Sequence, residues 1–472
     1  MFKKTQKYLL VNNPLLWNMK IVPAVCFAMV FHVVFFLIGY ANGKIDFTAE
    51  RDYDITDGIV IFFSVLVTLL FFVIWFVFYF RNNAYKSFYH LRPNHLFKEW
   101  LLLLLVCLLN VSYSISFVTG KTLRVRSYYS YEETLRRCDI IDDASTFITS
   151  EYDYVRPVNE DGTFNPDSTF TYNKVRYPYN SLMNKSGESF YIDWDDKKHT
   201  DIHLLMQKND TAAVKKMMTD YLAIAHEHGL KGNVNVEKWF ALTYHYPEFT
   251  EYELIGRGNE TETIIENGVA QAVKPTYKYF LPQEMLADNY EILARNWIKP
   301  IIPDESIYLI LYLSLGLSVF FFAFKATNIR SWIISIIGSG LLFVVMGIMA
   351  TIFRSESVFL VYWLALSAVF TTHFFVKLYG RQDKGFSGIS LNLMLWSLPA
   401  FLPLVYGLVM EIFDHVTYLK QPDGTTKIFN TPQHDWLEAN LGIFIFINIL
   451  LVIAMMGFLT TQIRRWKALA EN

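Results

Sequence analysis

Eight long apolar runs separated by polar connections set the plan of this 472-residue chain. They cover approximately 21–40, 58–80, 100–118, 306–324, 331–353, 357–376, 391–410 and 441–461. Each reaches the roughly 20 apolar residues that a helix needs to cross hydrocarbon. Between the third and fourth runs the pattern changes to a polar stretch, residues 119–304. The expected fold is therefore a polytopic α-helical membrane protein with about eight transmembrane helices and one large mixed α+β extracytoplasmic domain. Three spans lie in 1–118, the domain in 119–304 and five spans in 305–472.

Within 119–304 the apolar period alternates between that of strands and that of helices. From about 152 to 194, Phe170, Tyr172, Val175, Tyr177 and Tyr179 alternate, with Asp161-Gly162 as a turn signal, which predicts short strands. Val214, Met217, Met218, Tyr221, Leu222 and Ala225 then form one helical face, with Thr211 as the expected cap and Gly229 as the stop. Helices are also expected over 236–244, closed by Pro247, and over 283–297. Asn267-Gly268 predicts a hairpin turn, since both residues accept positive φ. A second hairpin is expected around Pro422-Asp423-Gly424, between spans seven and eight.

Charge orients the threading. Residues 119–304 hold 21 Lys and Arg against 29 Asp and Glu. Such an acidic domain argues against a nucleic-acid partner. Cytoplasmic connections collect cations near the membrane. With both termini inside, the inner connections carry 16 such cations, among them Lys3, Lys4, Lys7, Arg81, Lys325, Arg330, Arg464 and Arg465, and the outer ones carry 10. This places the chain in the plasma (inner) membrane as a multi-pass protein with 119–304 outside. Lys121, Arg124 and Arg126, just after span three, run against the trend. Of the three cysteines only Cys138 lies in the large domain, so no disulfide within that domain stabilises it.

The spans carry no Asp, Glu, Lys or Arg near their centres, which disfavours a proton- or sodium-coupled transporter. His32, Asn110, His373, Asn392 and Asn448 are the polar exceptions, and helix-to-helix hydrogen bonding is their expected role. Gly338, Ser339, Gly340 and Gly347 in span five are expected to admit a neighbouring backbone. The connection from Arg81 to Trp100 has a character of its own: Tyr85, Phe88 and Tyr89 alternate with Lys86, His90 and Arg92 around Pro93. It reads as an amphipathic surface element, and Tyr85, Phe88, Tyr89 and Arg92 are the candidates for docking a partner.

Chemistry is thinly signalled. His199 and His203 stand at i, i+4 with Asp195 nearby, a spacing that zinc ligands share. No Glu follows His199, however, and a solvated helix start explains the same residues. His226-Glu227-His228 is weaker still, because i, i+2 puts the two rings on different faces. Phosphate-loop, nucleophile-elbow, Cys-x-x-Cys and dinucleotide motifs are all missing from the sequence, so no cofactor is implied and a non-enzyme is favoured over an enzyme. The leading expectation is a permease-like subunit of an export or extraction system energised by a separate cytoplasmic ATPase. In layout alone this resembles ABC-type export permeases with a large extracytoplasmic domain between spans; no residue motif carries the resemblance. One alternative is a membrane scaffold or sensor whose outer domain binds an envelope protein. The other is a membrane-embedded enzyme acting on lipid-linked or envelope substrates through Asp414, His415, His434 and Asp435 at the outer rim.

Overall fold

The computed structural model describes residues 2–48, 55–83, 94–148, 153–154, 169–172, 175–178, 183–184, 205, 208–247, 255–259, 261–266, 269–275, 277–353, 356–380, 386–414, 417–420, 426–429 and 431–467. Two short helices, α1 (Phe2–Asn12) and α2 (Pro14–Asn18), precede α3 (Ile21–Asn42) and α4 (Ile55–Asn83). In the place of the expected third span stands a bent pair, α5 (His95–Val111) and α6 (Tyr113–Arg126), which meet at 44°. After the central region come α11 (Asp304–Ala326), α12 (Ile329–Phe353), α13 (Glu356–Tyr379), α14 (Ser387–Phe413), the short α15 (Pro432–Ala439) and α16 (Leu441–Lys467). Seven helices, α3, α4, α11 to α14 and α16, are individually long and apolar enough to cross a membrane, and the bent pair passes the same test when its two helices are taken together as one span. The chain is a polytopic helical membrane protein. Span three, expected at 100–118, starts earlier and ends later, and it breaks at Ser112.

Two compact units divide the chain. The first comprises Met1–Phe35, Asp57–Ser116 and Ile302–Asn472; the second comprises Phe36–Thr56 and Phe117–Ile301. The core of the first is strongly aromatic: Phe72, Trp75 and Phe76 of α4 meet Phe321 and Phe324 of α11 and Trp332 of α12 at ring separations of 5.1–5.8 Å. Without a hydrophobic drive between helices in lipid, such packing is a main source of association.

The second unit holds α7 (Tyr131–Ser145), α8 (Thr211–Glu227), α9 (Val236–Thr243) and α10 (Gln283–Ile298). Its core is dominated by these helices, through Ile141, Tyr221, Trp239, Leu286 and Tyr290, with Phe147 just beyond the end of α7. Trp239 Nε1 donates to the Phe147 carbonyl at 2.9 Å, which lets the indole be buried without an orphan donor. The α8 face matches the apolar pattern and the helix stops at Gly229, whose φ is +76°. Its cap is Asp210 rather than Thr211: the carboxylate accepts from the Ala213 N–H at 3.0 Å, leaving Thr211 as the first helical residue. The helix α7 is one the periodicity did not single out. Its signal is a capping box, Ser130 with Glu133 three residues on, and Ser130 Oγ accepts from the Glu133 N–H at 3.3 Å.

Among the described residues, the strands of the second unit pair two by two. They are β1 (Asp153–Tyr154) with β4 (Met183–Asn184), β2 (Thr169–Tyr172) with β3 (Val175–Pro178), the parallel β5 (Ile255–Gly256) with β8 (Tyr279–Phe280), and β6 (Thr261–Glu266) with β7 (Val269–Pro275). Glu266 faces Val269, the register of a two-residue turn at Asn267-Gly268, residues that themselves lie outside the described set. In the first unit β9 (Thr417–Lys420) pairs antiparallel with β10 (Thr426–Phe429).

The close helix crossing is not where the span-five glycines suggested. Ideal Cβ atoms on Gly338, Gly340 and Gly347 meet nothing within 4 Å. Instead α3 and α6 cross on reciprocal glycines: a Cβ on Gly39 would stand 2.0 Å from the Phe117 carbonyl oxygen, and one on Gly120 would stand 2.2 Å from that of Phe36. Any side chain there forces two backbones apart. Gly39→Ala and Gly120→Ala should therefore each cost about 1–3 kcal/mol, read as a lower thermal midpoint of the detergent-solubilised protein. Gly340→Ala and Gly347→Ala should stay within about 0.5 kcal/mol of the parent or gain slightly in helix propensity. Equal losses at both pairs would show that the crossing does not hold the helices together.

Candidate functional site

A helix that ends inside a membrane exposes its last carbonyls to hydrocarbon, where each needs a donor. At the end of α5 three side chains supply them. Ser112 Oγ donates to Leu108 O at 2.7 Å, Thr68 Oγ1 of α4 donates to Asn110 O at 2.7 Å, and His32 Nε2 of α3 lies 2.8 Å from Leu109 O. A carbonyl only accepts, so Nε2 carries a proton, and Nδ1 lies 2.6 Å from Ser116 Oγ. Asn110 completes the joint: its Nδ2 donates to Val106 O at 2.8 Å and its Oδ1 accepts from Tyr113 OH at 2.6 Å. The bend is thus built by three helices together.

Helix α14 repeats the device with proline. Pro403 has no N–H for the Pro399 carbonyl four residues back. Asn448 of α16 donates to that oxygen at 2.9 Å and, from the same Nδ2, to Tyr312 OH of α11 at 2.9 Å. The two remaining polar residues also link helices: His373 Nδ1 lies 2.8 Å from Ser390 Oγ, and Asn392 joins Thr327 Oγ1 at 3.0 Å to Ser335 Oγ at 3.1 Å.

The other end of α5 holds a feature that the charge census passed over. Glu99 and Lys325 form a hydrogen-bonded ion pair with side chains 0% and 1% exposed. Lys325 sits in the last turn of α11, where a cation complements the helix dipole, and Lys467 of α16 caps the same terminus by donating to Lys325 O at 2.7 Å. Charge at the span ends had been assigned to water-facing connections; here the fold encloses it. The available signal is that Glu99 is the only acidic residue between Asp57 and Glu132. Glu99 lies 13 residues before the break at Ser112, about 20 Å along the helix. So α5 is a strut, locked by charge at its start and jointed at its end.

In the second unit the dense polar cluster surrounds Arg137 of α7. Arg137 donates to Glu133 at 2.6 Å and to Tyr290 OH at 3.1 Å, pairs with Glu227 at 2.8 Å, and stacks over Tyr129 at 4.1 Å. His228 caps α8, lies 2.9 Å from Tyr290 OH, and is stacked 3.7 Å from Phe47, which follows α3. Of the His226-Glu227-His228 triplet, His226 faces solvent while the other two join this cluster. Burial, with help from the Arg137 cation and against the Glu227 carboxylate, holds the His228 pKa below its ordinary 6.5. Hydrogen bonds from Arg136 and Arg137 hold Glu133 down at about 2.

The cations that ran against the threading are tied into structure. Arg124 lies 5.4 Å from the ring centroids of both Tyr40 and Tyr128. Arg126 donates to Asn296 O at 2.9 Å and Lys299 O at 3.2 Å, covering the end of α10. Tyr85, Phe88, Tyr89 and Arg92, and the metal candidates His199, His203 and Asp195, lie outside the described residues, as does His415. Among the described residues, metal-ligating atoms gather at His434, Asp435 and Glu438 of α15, within 4.8 Å of one another, with both carboxylates exposed. Thr431 caps this helix, accepting from the His434 N–H at 3.3 Å. Cys138 is fully buried against the Tyr290 carbonyl, and burial pushes its thiol pKa up.

No family model, characterised protein or solved structure matches the chain.

Two outcomes follow from this geometry. Removing one member of a buried pair strands the other charge, whereas removing both does not. Lys325→Met should cost about 3–5 kcal/mol, and Glu99→Gln with Lys325→Met should recover most of it, read as thermal midpoints of the purified protein. Equal loss in single and double variants would mean the two charges are not coupled.

The second outcome concerns pH. A histidine depressed in the folded state leaves the unfolded chain holding more protons, so stability is complete above pH 6.5 and falls as pH drops through that value. Glu133 adds loss only between its ordinary 4.5 and about 2. Hydrogen-exchange protection in α8 and α10 should therefore weaken between pH 7 and 5.5 in the parent and stay flat in His228→Gln. Unchanged protection in the parent would remove His228 from the core's support.

Proposed function

We propose that this chain is the membrane subunit of an export or extraction system, a permease-like helix bundle that draws energy from a separate cytoplasmic ATPase. The observation that carries this reading is α5. It begins at His95, within the Arg81–Trp100 stretch, is locked by Glu99–Lys325 near that start, and ends in a joint whose carbonyls are held by side chains of α3 and α4. Broken spanning helices with side-chain-covered carbonyls are the means by which transporter folds line a path or flex. A partner engaging the connection through Tyr85, Phe88, Tyr89 and Arg92 would act on the start of the strut, and the strut would deliver the motion to the joint. In this reading both termini and that connection are cytoplasmic, and the second unit, a mixed α+β domain with its own core, faces outward. A sensor reading draws on one observation, the His228 cluster with its lowered pKa, and predicts an envelope protein as partner instead.

The test is purification of the full chain in mild detergent with its bound partners identified. An ATPase is expected, and Tyr85→Ser with Phe88→Ser and Tyr89→Ser should release it while insertion into the membrane stays normal. Recovery of an envelope protein and no ATPase would replace the permease by the sensor. Orientation is read separately with Lys216→Cys, an exposed position of α8, because Cys138 is buried. That thiol should react with a membrane-impermeant reagent in intact cells, and protection there would invert the threading.

A further inference from the structure

The first 20 residues carry Lys3, Lys4, Lys7 and Lys20 and no acid; the first acidic residue of the chain is Asp46. They do not simply lead into span one. Lys20 has φ of 54°, a left-handed conformation that turns the chain sharply just before α3. Upstream of that turn the chain is clamped to the bundle: Trp75 Nε1 donates to Met19 O at 3.1 Å, and Met19 and Asn18 are buried. Lys20 Nζ lies 4.0 Å over the Trp17 ring. Only α2 and Asn13 separate this clamp from α1, so α1 is held close to the level at which span one begins.

On α1 itself, Lys4, Tyr8 and Val11 follow one another at i, i+4, i+7, and so do Lys3, Lys7 and Leu10. Both rows lie on one side of the helix. Lys4 and Lys7, both exposed, stand in its first half, and Tyr8, Leu10 and Val11, 62%, 47% and 71% exposed, occupy its second half. A water-facing helix has no use for three exposed apolar side chains in four residues, and a membrane-spanning one would not carry three lysines. Both features suit the boundary between headgroups and acyl chains, where lysine stems lie along apolar surface and their amines reach phosphate.

We propose that α1 is an interfacial helix that binds anionic lipid headgroups through Lys3, Lys4 and Lys7 while Tyr8, Leu10 and Val11 enter the acyl boundary. The charge complementarity is unopposed, because the segment has no carboxylate with which its lysines pair internally. The binding holds for whichever leaflet span one starts in, and it stands independently of the transport reading.

The test uses the full chain in nanodiscs, with Cys26→Ala and a spin label on Leu10→Cys. In discs of phosphatidylcholine with phosphatidylglycerol the label should be accessible to oxygen and shielded from a water-soluble nickel complex. Phosphatidylcholine alone should shift it toward water, and so should Lys3→Gln, Lys4→Gln and Lys7→Gln combined in anionic discs, each lysine contributing about fivefold to the membrane-bound population. A gel-filtration profile matching the parent shows that these surface changes leave the bundle intact. A label exposed to nickel in both lipids would overturn the proposal and leave the face to a protein partner. Shielding that is equal in both lipids and indifferent to the lysines would overturn it as well, by showing apolar insertion without headgroup recognition.

Discussion

The backbone's need for donors in a medium without water governs this bundle. A carbonyl released within hydrocarbon is costly unless the protein supplies a partner, and the carbonyls freed at the α5–α6 bend and by Pro403 inside α14 each have one. At Ser112 the donors come from α3, α4 and the break itself; at Pro403 the donor is Asn448 of α16. His32, Thr68 and Asn448 are thus the condition for the bend at Ser112 and the proline at 403. A straight bundle of the same composition would have no call for His32 or Asn448.

The ion pair at the head of α5 obeys the same economy with charge in place of dipoles. Two buried ions are tolerable together because each answers the other, and the pair sits where the dipole of α11 and the amine of Lys467 add to the balance. Buried ionisable groups in membrane proteins tend to mark moving parts or pathways. This one fastens the first turns of the bent pair α5–α6 to the last turn of α11, which is why the transport reading centres on α5.

In the second unit the corresponding role falls to Arg137. Its guanidinium gathers Glu133, Glu227, Tyr290 and Tyr129, and Phe47 joins through its stack on His228. The stretch after α3 thereby belongs to the core of this unit through Ile45 and Phe47, although in sequence it is only the connection between two spans. The cations Arg124 and Arg126 likewise serve aromatic rings and a helix end.

How much was legible without the fold divides along physical lines. Runs of apolar residues long enough to cross a bilayer, the α8 face with its Gly229 stop, and the pairing of strands around Asn267-Gly268 are encoded in local pattern, because period and turn chemistry act between neighbours in sequence. The bend at Ser112 was not legible, since a serine after Asn-Val is as compatible with a continuous helix as with a broken one; His32 and Thr68, 77 and 42 residues away from the carbonyls they meet, decide the matter. Nor was the glycine crossing, because Gly39 and Gly120 look no different in sequence from Gly340 and Gly347 until a second backbone arrives. The sequence by itself determined a multi-pass helical protein with a large polar insertion, because burial in lipid depends on composition along one segment. Only the tertiary structure decided which polar groups meet, Glu99 with Lys325 and Arg137 with Glu227, because hydrogen bonds and ion pairs act over a few ångströms between residues that the chain itself keeps far apart.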